Sequence, residues 1–428
     1  MTLCPLRPWY TQGQRFCALF WGNSVEPASK TPSLGLIFIL GALAAYGPLS
    51  TDLYMPALPT IAQEFQNPQA HQTMAVYFLG LSLGQLLYGP LSDRLGRRRP
   101  LLVGSGLFVL ASLGCALAPS MPLLVFFRFL QALGGSVGMV TTLAIVRDLF
   151  RGRQAAQVIS YLTLVMGAAP ILAPLVGGQI LLYLDWRAIF VLLALFGLLC
   201  LGLVGLALPE THPPARRTQS PLWAALGDYI RLLRERAFLA YALPNSLMGA
   251  GFFTYLSAAS PVFIGVYGVS PQHFGFIFGL NAFGLILSSQ LNALLLKRRS
   301  SRRILVGAMG LMVGAALGLV LAAATGLGGM LGVWAALFVC VGGMGLVRPN
   351  AQALAMEPYP ERAGLASSLL GALGSSAGAL AGSLLGLFPE ASALPMALII
   401  AVCYILALGL FGVFQLLLRT SSQNLLRS

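Results

Sequence analysis

Twelve long apolar runs follow one another along this chain with only short polar loops between them: 34–62, 73–92, 100–119, 122–146, 157–182, 188–208, 238–266, 272–296, 303–325, 329–356, 364–388 and 393–418. Each reaches the roughly 20 residues a helix needs to cross a bilayer. In hydrocarbon, backbone N–H and C=O groups must be satisfied within the segment, so these runs are expected to be helices. Composition agrees, with 9% of the residues charged, against about a quarter in a soluble domain. The expected fold is an all-α membrane protein with twelve transmembrane helices in two pseudo-symmetric six-helix bundles.

The loops orient the spans. Arg94, Arg97, Arg98 and Arg99 follow span 2, and Arg147, Arg151 and Arg153 follow span 4. Arg216, Arg217, Arg231, Arg234 and Arg236 follow span 6, and Lys297, Arg298, Arg299, Arg302 and Arg303 follow span 8. The opposite loops hold little basic charge besides Arg187. Basic loops stay on the cytoplasmic side, so both termini are expected there. This placement also explains the net charge of +14 without a nucleic-acid partner.

The longest loop divides the spans six and six. The expected organisation is an N-terminal cytoplasmic extension (1–33), a first bundle (34–208), a cytoplasmic linker (209–237), a second bundle (238–418) and a cytoplasmic tail (419–428). The linker stretch "PLWAALGDYIRLLRERAF" is amphipathic. It either lies along the membrane surface or simply tethers the bundles. Residues 1–32 read either as a disordered extension or as the product of a start codon placed too early. "RFCALFW" is too short for a signal-peptide core. The last four cysteines, Cys115, Cys200, Cys340 and Cys403, lie in apolar runs, and no Cys/His spacing suggests a metal site.

The halves resemble each other at an offset of 205 residues. Gln85 falls on Gln290, Arg94 on Arg299, Arg97 on Arg302, Arg98 on Arg303 and Pro56 on Pro261. Two bundles related by an axis along the membrane normal are a transporter arrangement, with substrate bound near the midplane between them. The acids do not repeat: Asp52 falls on Ser257 and Asp93 on Arg298. Any proton chemistry therefore belongs to the first half.

Three stretches carry a family resemblance. "GPLSDRLGRRRP" (89–100) resembles the G-x-L-x-D-R-x-G-R-R signature of the major facilitator superfamily. "RFLQALGGSVG", from Arg128, resembles its R-x-x-Q-G motif with Ala132 in place of glycine. "APILAPLVGG" (169–178) resembles its antiporter motif, with Ala169 and Ala173 replacing two glycines and Pro174, Gly177 and Gly178 kept. Physically that motif supplies a bend and a close helix contact. The resemblance implies gating roles for Gly89, Asp93, Arg94, Gly96, Arg97, Arg98, Pro174, Gly177 and Gly178. "LSTDLYMPALP", "FGLNAFGLILSSQLNA" and the stretch from Arg348 narrow it to the bicyclomycin-resistance (Bcr/CflA) subfamily of drug:proton antiporters. Membership implies efflux of small drugs across a bacterial inner membrane, driven by the proton gradient without a cofactor, by a chain functional as a monomer. Arg348 departs from the subfamily, where that position is usually apolar. It either faces the substrate cavity or reaches the cytoplasmic surface about 12 Å away, and the second is favoured.

Few charges lie within spans, and such charges mark functional sites. Asp52 lies about 15 Å and Arg128 about 10 Å below the outer face by helical rise. They are expected to couple protons: burial favours the neutral acid and a nearby guanidinium favours the carboxylate. A helix-end acid reaching water is the plainer alternative for Asp52. Tyr54, Tyr77, Gln131, Asn245, Phe252, Tyr255, Asn281 and Asn350 are the candidate substrate-binding residues, a mix of aromatic and polar groups suited to a drug pocket. A metabolite exporter or facilitator is the rival function. An enzyme is disfavoured because no His, Asp or nucleophile cluster shares a helix face, and a receptor or scaffold would leave the repeat with its intramembrane polar groups unexplained.

Overall fold

Proline positions decide where the helices run straight and where they break. The computed structural model describes residues 33–219, 222–359, 362–388 and 392–425, so the expectations for residues 1–32 lie outside it. The described helices are α1 (Leu34–Ala44), α2 (Tyr46–Asp52), α3 (Leu58–Glu64), α4 (Gln72–Leu95), α5 (Arg98–Ala116), α6 (Met121–Leu149), α7 (Gly152–Tyr183) and α8 (Arg187–Ala207). They continue with α9 (Leu222–Leu232), α10 (Arg236–Ser260), α11 (Pro271–Leu295), α12 (Ser301–Thr325), α13 (Gly329–Met356), α14 (Ala363–Leu385) and α15 (Leu394–Leu425). Among the described residues there is no strand. Eleven helices are long and apolar enough to cross a membrane, and the first run supplies a twelfth as a broken pair bent by 45°.

The first run was expected as one span over 34–62, and the structure divides it. Pro48 has no N–H to bond the carbonyl of Ala44, and the helix turns at Ala45. Pro56 likewise cannot bond the carbonyl of Asp52, and the chain tightens to a 3-10 turn over Met55–Ala57. Asp52 therefore closes a helix in mid-span. The second half repeats the device: Pro261 cannot bond the carbonyl of Ser257, and α10 gives way to a π-helical turn over Pro261–Val266.

Within the first half α6 packs on α4 and α5, and within the second α13 packs on α11 and α12. The halves meet along two seams, α7 against α11 and α4 against α14. On the second seam Ser82 donates to the carbonyl of Ala372 at 2.9 Å. Phe78 lies 4.4 Å from Phe253 of α10, ring centroid to centroid. Lipid-facing leucines such as Leu110, Leu164, Leu198, Leu321 and Leu406 are exposed, as expected where the solvent is hydrocarbon.

Candidate functional site

Arg128 organises the interior of the first half. It is fully buried on α6, and among the described residues no carboxylate lies within ion-pairing distance. Its Nη1 donates to the carbonyl of Ser50 at 3.1 Å and to Gln131 Oε1 at 2.7 Å. The guanidinium lies over Tyr54 at 4.4 Å and over Tyr77 at 4.2 Å from the ring centroids. Two aromatic faces and two neutral oxygens thus replace water around the charge. A desolvated cation–π contact is worth ~2 kcal/mol, and each hydrogen bond to a charged group ~2 kcal/mol. Arg128 Nε keeps no partner.

Gln131 then passes the tie outward: its Nε2 donates to Ser112 Oγ at 2.8 Å, and Ser112 donates to the carbonyl of Phe108. Tyr54 shares a 2.9 Å hydrogen bond with Thr73. Gln131, Tyr54 and Tyr77 were expected to line a substrate pocket. Instead they encase Arg128 and are completely buried. Ser50, Thr73 and Ser112 complete this cage without a motif to signal them; their only sequence mark is a small hydroxyl inside an apolar run.

Asp52 and Arg128, similar in depth by helical rise, form no ion pair. Asp52 is 3% exposed, and it accepts from Thr51 Oγ1 at 2.8 Å. The plainer alternative, a helix-end acid reaching water, does not describe a carboxylate this enclosed. The turn that follows Asp52, Met55–Ala57, packs against α10 and α11 of the second half. Asp52 therefore sits where the halves face one another. Tyr255 accepts a hydrogen bond from Asn281 Nδ2 at 3.0 Å and stacks on Phe278 at 5.5 Å. Asn281 Oδ1 and Asn245 Oδ1 are buried without partners, each a free acceptor in a setting where that is costly. Phe252 is half-buried beside Phe253 and Tyr255. Asn350 bonds Asn292 Oδ1 at 2.6 Å and the carbonyl of Leu346, so its amide holds α13 to α11.

Above Asp52 the motif glycines close the packing. A Cβ on Gly177 would collide with the carbonyl oxygen of Leu53, the residue after Asp52. One on Gly178 would lie 2.6 Å from the carbonyl oxygen of Pro271, across the seam. Only residues without a side chain admit these approaches. Pro170 and Pro174 both lie within α7.

At the basic-loop end, Arg97 is the hub. It is 4% exposed and pairs with Asp93 at 2.5 Å and Asp148 at 2.8 Å. Burial works against its charge, and the two carboxylates outweigh this and raise its affinity for the proton further. Gly96 turns the chain with φ +89°, bringing the N–H of Arg97 to Glu210 Oε1 at 2.8 Å. Arg98 donates to the carbonyls of Val204 and Gly205, satisfying orphan acceptors at the end of α8. Arg94 is exposed, and Gly89 lies beside Ser368 of α14. Asp148 and Glu210 escaped the sequence reading, although each is a lone acid beside a basic loop.

The linker helix α9 is docked rather than free. Tyr229 and Leu232 are buried against Leu86 of α4, Phe238 of α10 and Ala366 and Leu369 of α14. Tyr229 donates to the carbonyl of Leu86 at 3.2 Å, and burial pushes its phenol up to about 12, so it stays a neutral donor. Among the described residues no group of three or more His, Cys, Asp or Glu could hold a metal ion.

Residues 37–383 match the family profile described as Major Facilitator Superfamily. The chain is 37% identical over 388 residues to an uncharacterized MFS-type transporter, YdgK, of Bacillus subtilis, covering 89% of this chain and 95% of that one. It is 32% identical to a bicyclomycin resistance protein homolog of Haemophilus influenzae, covering 87% and 94%. A crystal structure of the peptide transporter POT in complex with sulfate superposes with a TM-score of 0.73 at 15% identity, covering 96% of this chain and 98% of that one; it bears on the fold alone.

Proposed function

Because the chain belongs to the major facilitator superfamily, we propose that it is a secondary exporter that exchanges protons for small amphipathic drugs by alternating access. The relative named for bicyclomycin resistance supports the substrate class. One observation carries the coupling: among the described residues, Asp52 is the only carboxylate in mid-span, enclosed and without a cationic partner. The other described acids lie at span ends or in the linker.

The chemistry follows from what surrounds it. While the halves enclose Asp52, a single hydroxyl donor serves its carboxyl, and the neutral form costs least. When the halves part, water reaches the group and stabilises the carboxylate, so the proton leaves to whichever side is open. Arg128, in its aromatic cage, holds α2 to α6 through Ser50, so movement at Asp52 is transmitted to the span that carries Arg128. Gly177 and Gly178 form the seal beyond Asp52, and the Arg97 network braces the other end. The basic loops support a bacterial inner-membrane protein with that end and both termini on the cytoplasmic side. The reading needs no cofactor and no second subunit.

Inverted membrane vesicles with an acidified lumen test it. Bicyclomycin is expected to accumulate in them and to leave when the pH gradient is collapsed. Accumulation that ignores the gradient, or that persists in Asp52→Asn, would sink the proposal.

A further inference from the structure

Arg348 differs from every other charge in the spans. It lies on α13, eight residues before the helix ends at Met356, or about 12 Å from the basic-loop end by helical rise. Its side chain is exposed, although Val341 to Val347 before it and Asn350 and Ala351 after it are buried. An exposed side chain in an otherwise buried stretch of helix marks an opening beside it. The helix face says the same. Leu337, Val341 and Met344 share the face of Arg348 at helical spacing and are buried between helices. Leu331 and Ala335, exposed to the surroundings, lie on another face. The inward-looking face of α13 thus opens at Arg348, on the side toward the basic loops. The helix face supports the other expectation, a side chain facing the cavity, over a reach to the cytoplasmic surface.

Arg348 also has no partner. Among the described residues no hydrogen bond, ion pair or ring contact engages it, whereas Arg128 is held by the oxygens and rings of its cage. Its repeat counterpart 205 residues earlier is Leu143. A lone guanidinium in a water-filled pocket with low-dielectric walls attracts anions strongly. Its planar fork matches a carboxylate with two parallel hydrogen bonds.

We propose that Arg348 forms an anion subsite in the central cavity and that this transporter takes small amphipathic compounds bearing a carboxylate. The proposal rests on the exporter reading and narrows its substrate class. With Asp52 neutral and Arg128 enclosed, Arg348 is the one charge left to face the substrate among the described mid-span residues. The carboxylate binds at the guanidinium, and the apolar body of the compound lies toward Phe252 and Tyr255. A cationic compound of the same shape meets repulsion instead.

The purified full-length protein in detergent decides the matter through fluorescence anisotropy with two xanthene dyes, anionic fluorescein and cationic rhodamine 6G. The wild type is expected to bind fluorescein the more tightly. Arg348→Gln should weaken fluorescein binding at least tenfold without weakening rhodamine 6G, and Arg348→Lys should restore most of the loss. No preference for fluorescein in the wild type, or fluorescein binding unchanged in Arg348→Gln, overturns the proposal. The wild-type comparison stands even if a variant fails to fold. Binding needs no gradient, so loss of proton-driven efflux with the dye preference intact would count against the antiport reading alone.

Discussion

The two halves share a backbone plan and divide the chemistry unequally. Each breaks its first helix at the same place, before Pro56 in one and Pro261 in the other. At the break the first half holds Asp52 and the second holds Ser257, which is fully buried with its hydroxyl unpartnered. Arg128 in its cage corresponds to buried Val333. The Arg97 hub corresponds to exposed Arg302. The acids that hold the hub, Asp93, Asp148 and Glu210, correspond to Arg298, Ala353 and Gln415. Buried charge needs partners placed to receive it, so once the acids differ the basic residues cannot keep equivalent roles. The geometry of a broken helix tolerates this divergence because it depends only on a missing N–H.

The comparison breaks most decisively at Asp52. Asp52→Asn should reduce gradient-driven accumulation in inverted vesicles to background, and adding Ser257→Asp should not restore it. Recovery in the double variant would show that the halves are interchangeable. The next effect in size is at the hubs. Arg97→Ala takes the guanidinium from half-buried Asp148, which keeps only the hydroxyl of Thr211, and losing a hydrogen bond between charged groups costs ~2 kcal/mol. Thermal unfolding of the detergent-solubilised protein should show that loss, and Arg302→Ala, on an exposed side chain, should stay within ~0.5 kcal/mol of wild type.

A smaller contrast separates Gly177 from its counterpart Gly382. A Cβ at Gly177 meets the backbone of Leu53, whereas one at Gly382 comes 3.2 Å from the hydroxyl of Ser257, which can rotate away. Overpacking costs ~1–3 kcal/mol, so Gly177→Ala should slow transport several-fold and Gly382→Ala should leave the rate close to wild type. Equal rates would remove the close approach at Gly177 from the transport cycle. The least effect is expected at the linker. Tyr229→Phe deletes one hydrogen bond to Leu86 and should lower stability by ~1 kcal/mol, read in the same unfolding assay.

Much of this was legible in the residues. The helices follow the apolar runs closely: the run expected over 329–356 is the helix Gly329–Met356, and that over 364–388 is Ala363–Leu385. The break near Asp52, where one span was expected, has its cause in the sequence, because Pro56 lacks the N–H that a continuous helix needs. The linker showed its amphipathic pattern but not its berth. An apolar stripe says that a surface is covered without saying by what, and here the cover is α4, α10 and α14. The candidate pocket divided for a related reason. Aromatic and amide residues in spans have one composition whether they line a cavity or encase a buried cation, and Tyr54, Tyr77 and Gln131 do the latter.

By itself the sequence determined the spans, their alternation, the six-and-six division and the isolation of one acid at mid-depth. These follow from hydropathy, charge and helical rise, which are properties of position along the chain. The tertiary structure alone decided azimuth and partnership. It turned Arg128 toward aromatic rings instead of Asp52, brought Asp148 and Glu210 to the Arg97 region from a span and a linker distant in sequence, and opened the inward face of α13 at Arg348. Rise along a helix gives depth in the membrane, but the rotation of that helix against its neighbours is set by side-chain packing, which no single segment encodes.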